Sequence, residues 1–162
     1  MIFADVLGIE VVSASKTRAE VTMPITTDMY QPYGFVHGGV TISMLETCAS
    51  LGAAESVDLE TQLPFGVNVD IRHRKSAKSG TMRGVAELDH EEPSHTNGIK
   101  QFWKVAAYDD DGDVISDGTI IVKIVSREYY AQKEAARKAA AEGAALPARA
   151  VSGGEEGGEA SC

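Results

Sequence analysis

Between Gly38 and Ala54 this chain is apolar or uncharged at every position but one, and the exception is a carboxylate, Glu46. A helix that is apolar almost all round is expected to be buried, and burying a lone carboxylate costs several kcal/mol unless something is gained by it. Glu46 is therefore a candidate nucleophile or general base. His37 immediately precedes the segment, Gly38 and Gly39 offer backbone N–H groups at its positive end, and Gln31 stands six residues before His37. Such a helix terminus receives an anion or a developing oxyanion, and glycine there lets a carbonyl approach the amide closely. Ser50, four residues after Glu46, shares its helix face and is placed to hydrogen-bond the carboxylate or a water. Taken singly, the same residues also fit plain structural roles: a glycine pair for packing, and a histidine bonded to a loop carbonyl.

Spacing adds a constraint. Glu46 follows Gly38 by eight residues, which at helical rise separates them by roughly 12 Å along the axis. One carbonyl cannot meet both within one subunit. If both act on it, a two-fold partner supplies one of them, and the protein is a homodimer or a dimer of dimers.

The elements that must hold these residues follow from periodicity. Gly8–Val12 and Arg18–Met23 alternate as an opening hairpin, and residues 26–36 form a loop with Pro32 and Gly34. The helix starts at Gly38 or Gly39 and runs to about Ala54. Strands are expected over Pro64–Arg72, Thr81–Leu88, Ile99–Tyr108 and Val114–Val125, the last two joined by a hairpin turn at Asp110-Asp-Gly-Asp113. One long apolar helix followed by a strand meander implies an α+β fold, with an antiparallel sheet curled around the helix.

Composition sets the outer bounds. The 162 residues suffice for one core, residues 1–127, followed by an alanine-rich tail, 128–162, read as a short solvated helix and then, after Leu146, a disordered end. Nothing resembles a signal peptide or a membrane span, so a cytoplasmic protein is expected. Cys48 lies in the apolar helix and Cys162 at the C-terminus, a placement suited to a reducing compartment, with Cys48 read as a small buried hydrophobe. A net charge of −9 disfavours nucleic acid as a partner. Against that balance Arg72, Arg74, Lys75, Lys78 and Arg83, with His73 among them, concentrate positive charge as either a solvated strand end or a local anion site.

With Gln31-Pro-Tyr-Gly-Phe-Val-His-Gly-Gly39, Glu46, Ser50, the strand Gly66-Val-Asn-Val-Asp-Ile-Arg-His73, Ser76-Ala-Lys-Ser-Gly80 and Arg83-Gly84, the chain resembles the hotdog-fold acyl-CoA thioesterases. The likeness spans about residues 5–126 and is strongest to the branch containing the 1,4-dihydroxy-2-naphthoyl-CoA and 4-hydroxybenzoyl-CoA thioesterases. It implies hydrolysis of an aryl or medium-sized acyl-CoA, with Glu46 as nucleophile or general base and Gly38 N–H as oxyanion donor. Gln31 and His37 would then assist at the thioester, and Ser50 would support the hydrolytic water. Arg72, His73, Arg74, Ser76, Lys78 and Arg83 would receive the phosphates of coenzyme A. No metal or separate cofactor is implied, because a thiolate leaves readily and no metal-ligand spacing occurs. A hotdog hydratase or dehydratase would carry Asp five or six residues before His, or His-Phe-Pro-Gly before the helix, and neither is present. A non-catalytic acyl-CoA-binding module would dispense with Glu46. The polar stretch Glu91–Gly98 is read as an insertion beside the nucleotide groove.

Overall fold

The computed structural model describes residues 2–143. Two compact units divide the chain, the first ending at Tyr130 and the second beginning at Ala131. Element order in the first is α1 (Phe3–Leu7), β1 (Glu10–Ala14), β2 (Arg18–Pro24), a 3-10 turn (Thr27–Met29), α2 (Gly38–Glu55), β3 (Gln62–His73), β4 (Thr81–Pro93), β5 (Ile99–Tyr108) and β6 (Val114–Ser126). A last helix, α3, covers Arg127–Gly143 and so begins in the first unit and continues into the second. The disordered end expected after Leu146 lies outside the described residues.

All six strands join one antiparallel sheet in the order β1-β2-β4-β5-β6-β3, with α2 packed against it. This is the α+β arrangement, one antiparallel sheet against one long helix, that the strand meander implies and that the resemblance to the hotdog fold also implies. Helical spacing explains the packing, because Thr41, Met44, Leu45, Cys48, Ala49, Gly52 and Ala53 form one buried stripe toward the sheet. They meet a core that includes Val21, Met23, Met82, Trp103, Ile120 and Val122.

Three details differ from the sequence reading. The first strand starts at Glu10, not Gly8, because Phe3–Leu7 form a short helix that ends at Gly8. Strand β4 runs on to Pro93, so Glu91–Gly98 is the end of a long β4–β5 hairpin, closed where Ser94 N–H donates to the Gly98 carbonyl at 2.9 Å. Gln101 anchors that arm. Its fully buried amide donates to Glu91 Oε1 at 2.7 Å and Ser56 Oγ at 3.0 Å, and its oxygen accepts from Trp103 Nε1 at 3.2 Å. Lastly, α2 is not covered all round. Its second stripe, Ser43, Glu46, Thr47 and Ser50, is half-buried, so Glu46 sits on the open side of the helix rather than in the core.

Candidate active site

The loop before α2 presents polar groups at the helix N-terminus. A turn closes where Gly34 N–H donates to the Gln31 carbonyl at 3.0 Å, and Tyr33 N–H donates to Gln31 Oε1. With that oxygen engaged, the NH2 half of the Gln31 amide is left as donor. His37 is the N-cap, its Nδ1 accepting from Gly39 N–H at 2.9 Å, which puts the ring proton on Nε2. Gly38 N–H, beside it, has no acceptor among the described residues. The helix terminus thus keeps one backbone donor uncommitted.

A pocket of about 170 Å³ opens there, lined by Gln31, Gly38, Thr41, His73 and Ser76 among others. His73 arrives as the last residue of β3, in register with Ser116 of β6. Its Nδ1 lies 2.8 Å from Ser116 Oγ, and a Cβ built on Gly38 would come within 2.6 Å of its Nε2. Only a glycine lets the imidazole lie this close to the helix start.

Glu46 occupies a second, larger pocket. About 460 Å³ in volume, it is lined by Glu46, Ser50, Leu51 and Ala54 of α2 and by Ile2 and Phe3 at the N-terminal helix. Among the described residues Glu46 is the one ionisable group lining it. The carboxylate reaches back to β3 at Gly66, where a bulge shifts the register with β6 between Gly66 and Asn68. A Cβ at Gly66 would lie 2.3 Å from Glu46 Oε1. Ser50 lines the same pocket, and no hydrogen bond joins it to Glu46 in the structure. The two pockets have no lining residue in common, as the helical offset between Gly38 and Glu46 requires.

The basic stretch is less uniform than its sequence. Arg74 grips Asp117 through Nε at 2.6 Å and Nη2 at 3.0 Å, which lowers the Asp117 pKa and raises that of Arg74. Lys75 bridges Asp109 and Asp113, both at 2.6 Å, and its pKa is raised by those two carboxylates. Arg83 lies over the Tyr108 ring, 3.6 Å from Glu20. Arg72 and Lys78 form no ion pair among the described residues, although Lys78 Nζ sits 4.5 Å from the centre of the Phe35 ring. Ser76 and His73 belong to the helix-terminal pocket instead. Cys48 lies on the buried stripe, and burial pushes its thiol up to about 12, so it is no thiolate nucleophile near neutral pH.

In the sequence His73 reads as one of the surface cations and Gly66 only as the start of the strand Gly66–His73, while Ile2 and Phe3 carry no signal. The β3–β6 register is what carries His73 to Ser116 and Gly38, and no local pattern announces it. A glycine inside the alternating strand 64–72 was the one available hint of a bulge or a close approach at Gly66.

Comparison with known proteins identifies the family and the fold. The family profile described as Thioesterase superfamily matches residues 33–116, more than half of the chain. A 1,4-dihydroxy-2-naphthoyl-CoA hydrolase of Listeria monocytogenes is 34% identical over 121 residues, which are 74% of this chain and 94% of that protein. Proofreading thioesterase EntH of Cronobacter turicensis is 31% identical over 106 residues, 65% of this chain and 73% of its own. Among solved structures, a variant of a Staphylococcus aureus thioesterase superposes with a TM-score of 0.69 at 25% identity, covering 75% of this chain and 97% of that one. By profile, by identity along nearly the whole of a relative and by fold, this chain belongs to the thioesterase superfamily and is a hotdog-fold thioester hydrolase.

Proposed function

We propose that the protein hydrolyses an aryl-CoA or medium-sized acyl-CoA in a site shared by two copies of the chain. One observation carries this reading: among the described residues, the one ionisable residue of the larger pocket, Glu46, and the Gly38 N–H that has no acceptor line separate pockets on one protomer. A two-fold partner brings the carboxylate of one copy to the oxyanion donor of the other. Edge strand β3 supports such pairing, since it ends the sheet with Phe65, Val67 and Val69 exposed.

In this reading the thioester oxygen lies at Gly38 N–H, and the acyl group enters the pocket beside Glu46, Leu51 and Phe3. Glu46 either adds to the carbonyl carbon, giving a mixed anhydride that water then hydrolyses to the acid and free Glu46, or takes a proton from the attacking water and later gives it up to the departed thiolate. The carbonyl π pair moves to oxygen, returns as the C–S bond breaks, and leaves coenzyme A as thiolate. Gln31, through its NH2 group, and His37, through Nε2–H, are donors at the thioester end, and Ser50 holds the water. Arg72, which sits near Asp70 and Asp117 without pairing with either, and Lys78, which forms no ion pair among the described residues, are the cations assigned to the phosphates, with Arg74 and Arg83 able to join only by leaving Asp117 and Glu20. No metal or cofactor enters the scheme. Its coenzyme A ester substrate assigns it to the cytoplasm, and no described helix is long and apolar enough to cross a membrane.

An aryl substrate is favoured by the name of the Listeria relative and by the apolar lining of the larger pocket. Release of free thiol from benzoyl-, hydroxynaphthoyl- and hexanoyl-CoA tests the proposal. The expected result is turnover of at least one ester, fastest for an aryl group, and near-complete loss in Glu46→Ala. Equal rates for the two proteins would remove Glu46 from the mechanism.

A further inference from the structure

The motif residues around Gly38 leave one feature unexplained: a fully buried hydroxyl, Ser116, whose one hydrogen-bond partner among the described residues is His73 Nδ1, at 2.8 Å. A buried hydroxyl that does not donate its proton forfeits a hydrogen bond and bears the cost of desolvation. Ser116 O–H therefore donates to Nδ1. Nδ1 is then the acceptor, and the ring carries its proton on Nε2. That same Nε2 comes within 2.6 Å of where a Cβ on Gly38 would stand, in the pocket lined also by Gln31 and Thr41.

We propose that His73 is a catalytic hydrogen-bond donor, adding its Nε2–H to the Gly38 N–H at the thioester oxygen, and that Ser116 is the positioning residue that fixes its tautomer. The proposal rests on the thioesterase reading above and moves His73 from the nucleotide end to the reacting carbonyl. His73 keeps its proton throughout. It stabilises the negative charge while the π pair resides on oxygen and releases the oxygen when the C–S bond breaks. Three donors, Gly38 N–H, His73 Nε2–H and the Gln31 NH2 group, then line one small pocket, and none of them is a charged group that would need neutralising between turnovers.

The test uses the full-length protein and the fastest ester of the panel. His73→Ala is expected to lower kcat about 10²–10³-fold with KM within about threefold, the size of an oxyanion donor's loss. His73→Gln, which returns an N–H donor at similar reach, is expected to regain at least about tenfold of that. Ser116→Ala frees the ring to take the other tautomer and is expected to lower kcat about tenfold at pH 8. Its deficit relative to wild type should shrink toward acid pH, because a doubly protonated ring donates from Nε2 whichever tautomer preceded it. A purely structural serine would show a pH-independent deficit. A tenfold rise in KM with kcat unchanged in His73→Ala would return His73 to the nucleotide end and overturn the proposal, as would Gln rescuing no better than Ala. Should His73→Ala fail to fold, the Gln variant and the Ser116→Ala pH profile decide alone. Full activity of Glu46→Ala in the same assays would instead sink the parent mechanism, whatever His73 does.

Discussion

The Glu46 carboxylate rests on Gly66: a methyl group built on that Cα would stand 2.3 Å from Oε1 and 3.3 Å from Cδ. The contact joins the open face of α2 to the bulge in edge strand β3, so the strand's irregularity and the carboxylate's position are one feature. A helix residue alone, with three rotatable bonds, would leave the carboxylate free to wander. The notch at Gly66 gives it a defined seat.

Gly66→Ala is therefore expected to move the carboxylate without unfolding the protein, because Glu46 is half-buried and its side chain can swing aside. A shift of about 1 Å at a reacting group can cost on the order of 10²-fold in rate, and kcat should fall by roughly that amount. In the Glu46→Asp background, where the shorter side chain clears the added methyl, Gly66→Ala should cost much less. A double-mutant cycle in kcat reads the difference, and simple additivity would show that Gly66 does not position Glu46.

Gln101 predicts a stability effect with no catalytic counterpart. Gln101→Leu fills the same space but leaves the fully buried Trp103 Nε1–H without its acceptor, whereas half-buried Ser56 keeps its bond to the Ala53 carbonyl and exposed Glu91 turns to water. Leaving a buried donor unpaired should cost about 1–3 kcal/mol, seen as a lower urea midpoint at unchanged slope. KM for the ester should stay as in wild type. A variant as stable as wild type would mean that the network is dispensable.

Acid should loosen the β3–β6 and hairpin end first. Hydrogen bonds from Arg74 and from Lys75 hold Asp117 and Asp109 below the ordinary carboxylate value of 3.8. A carboxylate whose pKa is depressed by folding adds stability above its unfolded value, and that stability is lost as pH falls through the lower, folded value. Melting temperature measured from pH 6 down to pH 2 should thus fall less steeply below about pH 4 in the Asp109→Asn, Asp117→Asn double variant than in wild type. Arg74–Asp117 is solvent-exposed and Lys75–Asp109 partly so, so the difference at pH 7 should be small. Parallel curves at acid pH would contradict the assignment.

Much of this was legible before any coordinates, and particular residues show why. The alternating strands, the Asp110–Asp113 turn and the helix from Gly38 are local patterns, and local patterns survive folding. Helix α1 escaped notice because five residues are too few for a 3.6-residue period to show. The far end of β4, Glu91-Glu92-Pro93, has no apolar alternation; it is a strand because β5 pairs with it and Gln101 ties it down. Glu46 reads as a core residue because composition cannot say that only one stripe of α2 meets the sheet. His73 reads by neighbourhood as one of a run of cations, whereas pairing across the sheet sets it opposite Ser116.

The shared site is the claim on which the rest depends, and mixed oligomers test it most directly. Glu46→Ala and Gln31→Ala chains, each inactive in these terms when alone, are co-expressed with different affinity tags, and the mixed species is purified and assayed for thiol release. If carboxylate and oxyanion donor come from different copies, each mixed dimer holds one intact site and one doubly damaged site, and should recover about half of the wild-type activity. No activity above that of the two parents would contradict the account, because it would place Glu46 and Gln31 in the same site of the same chain.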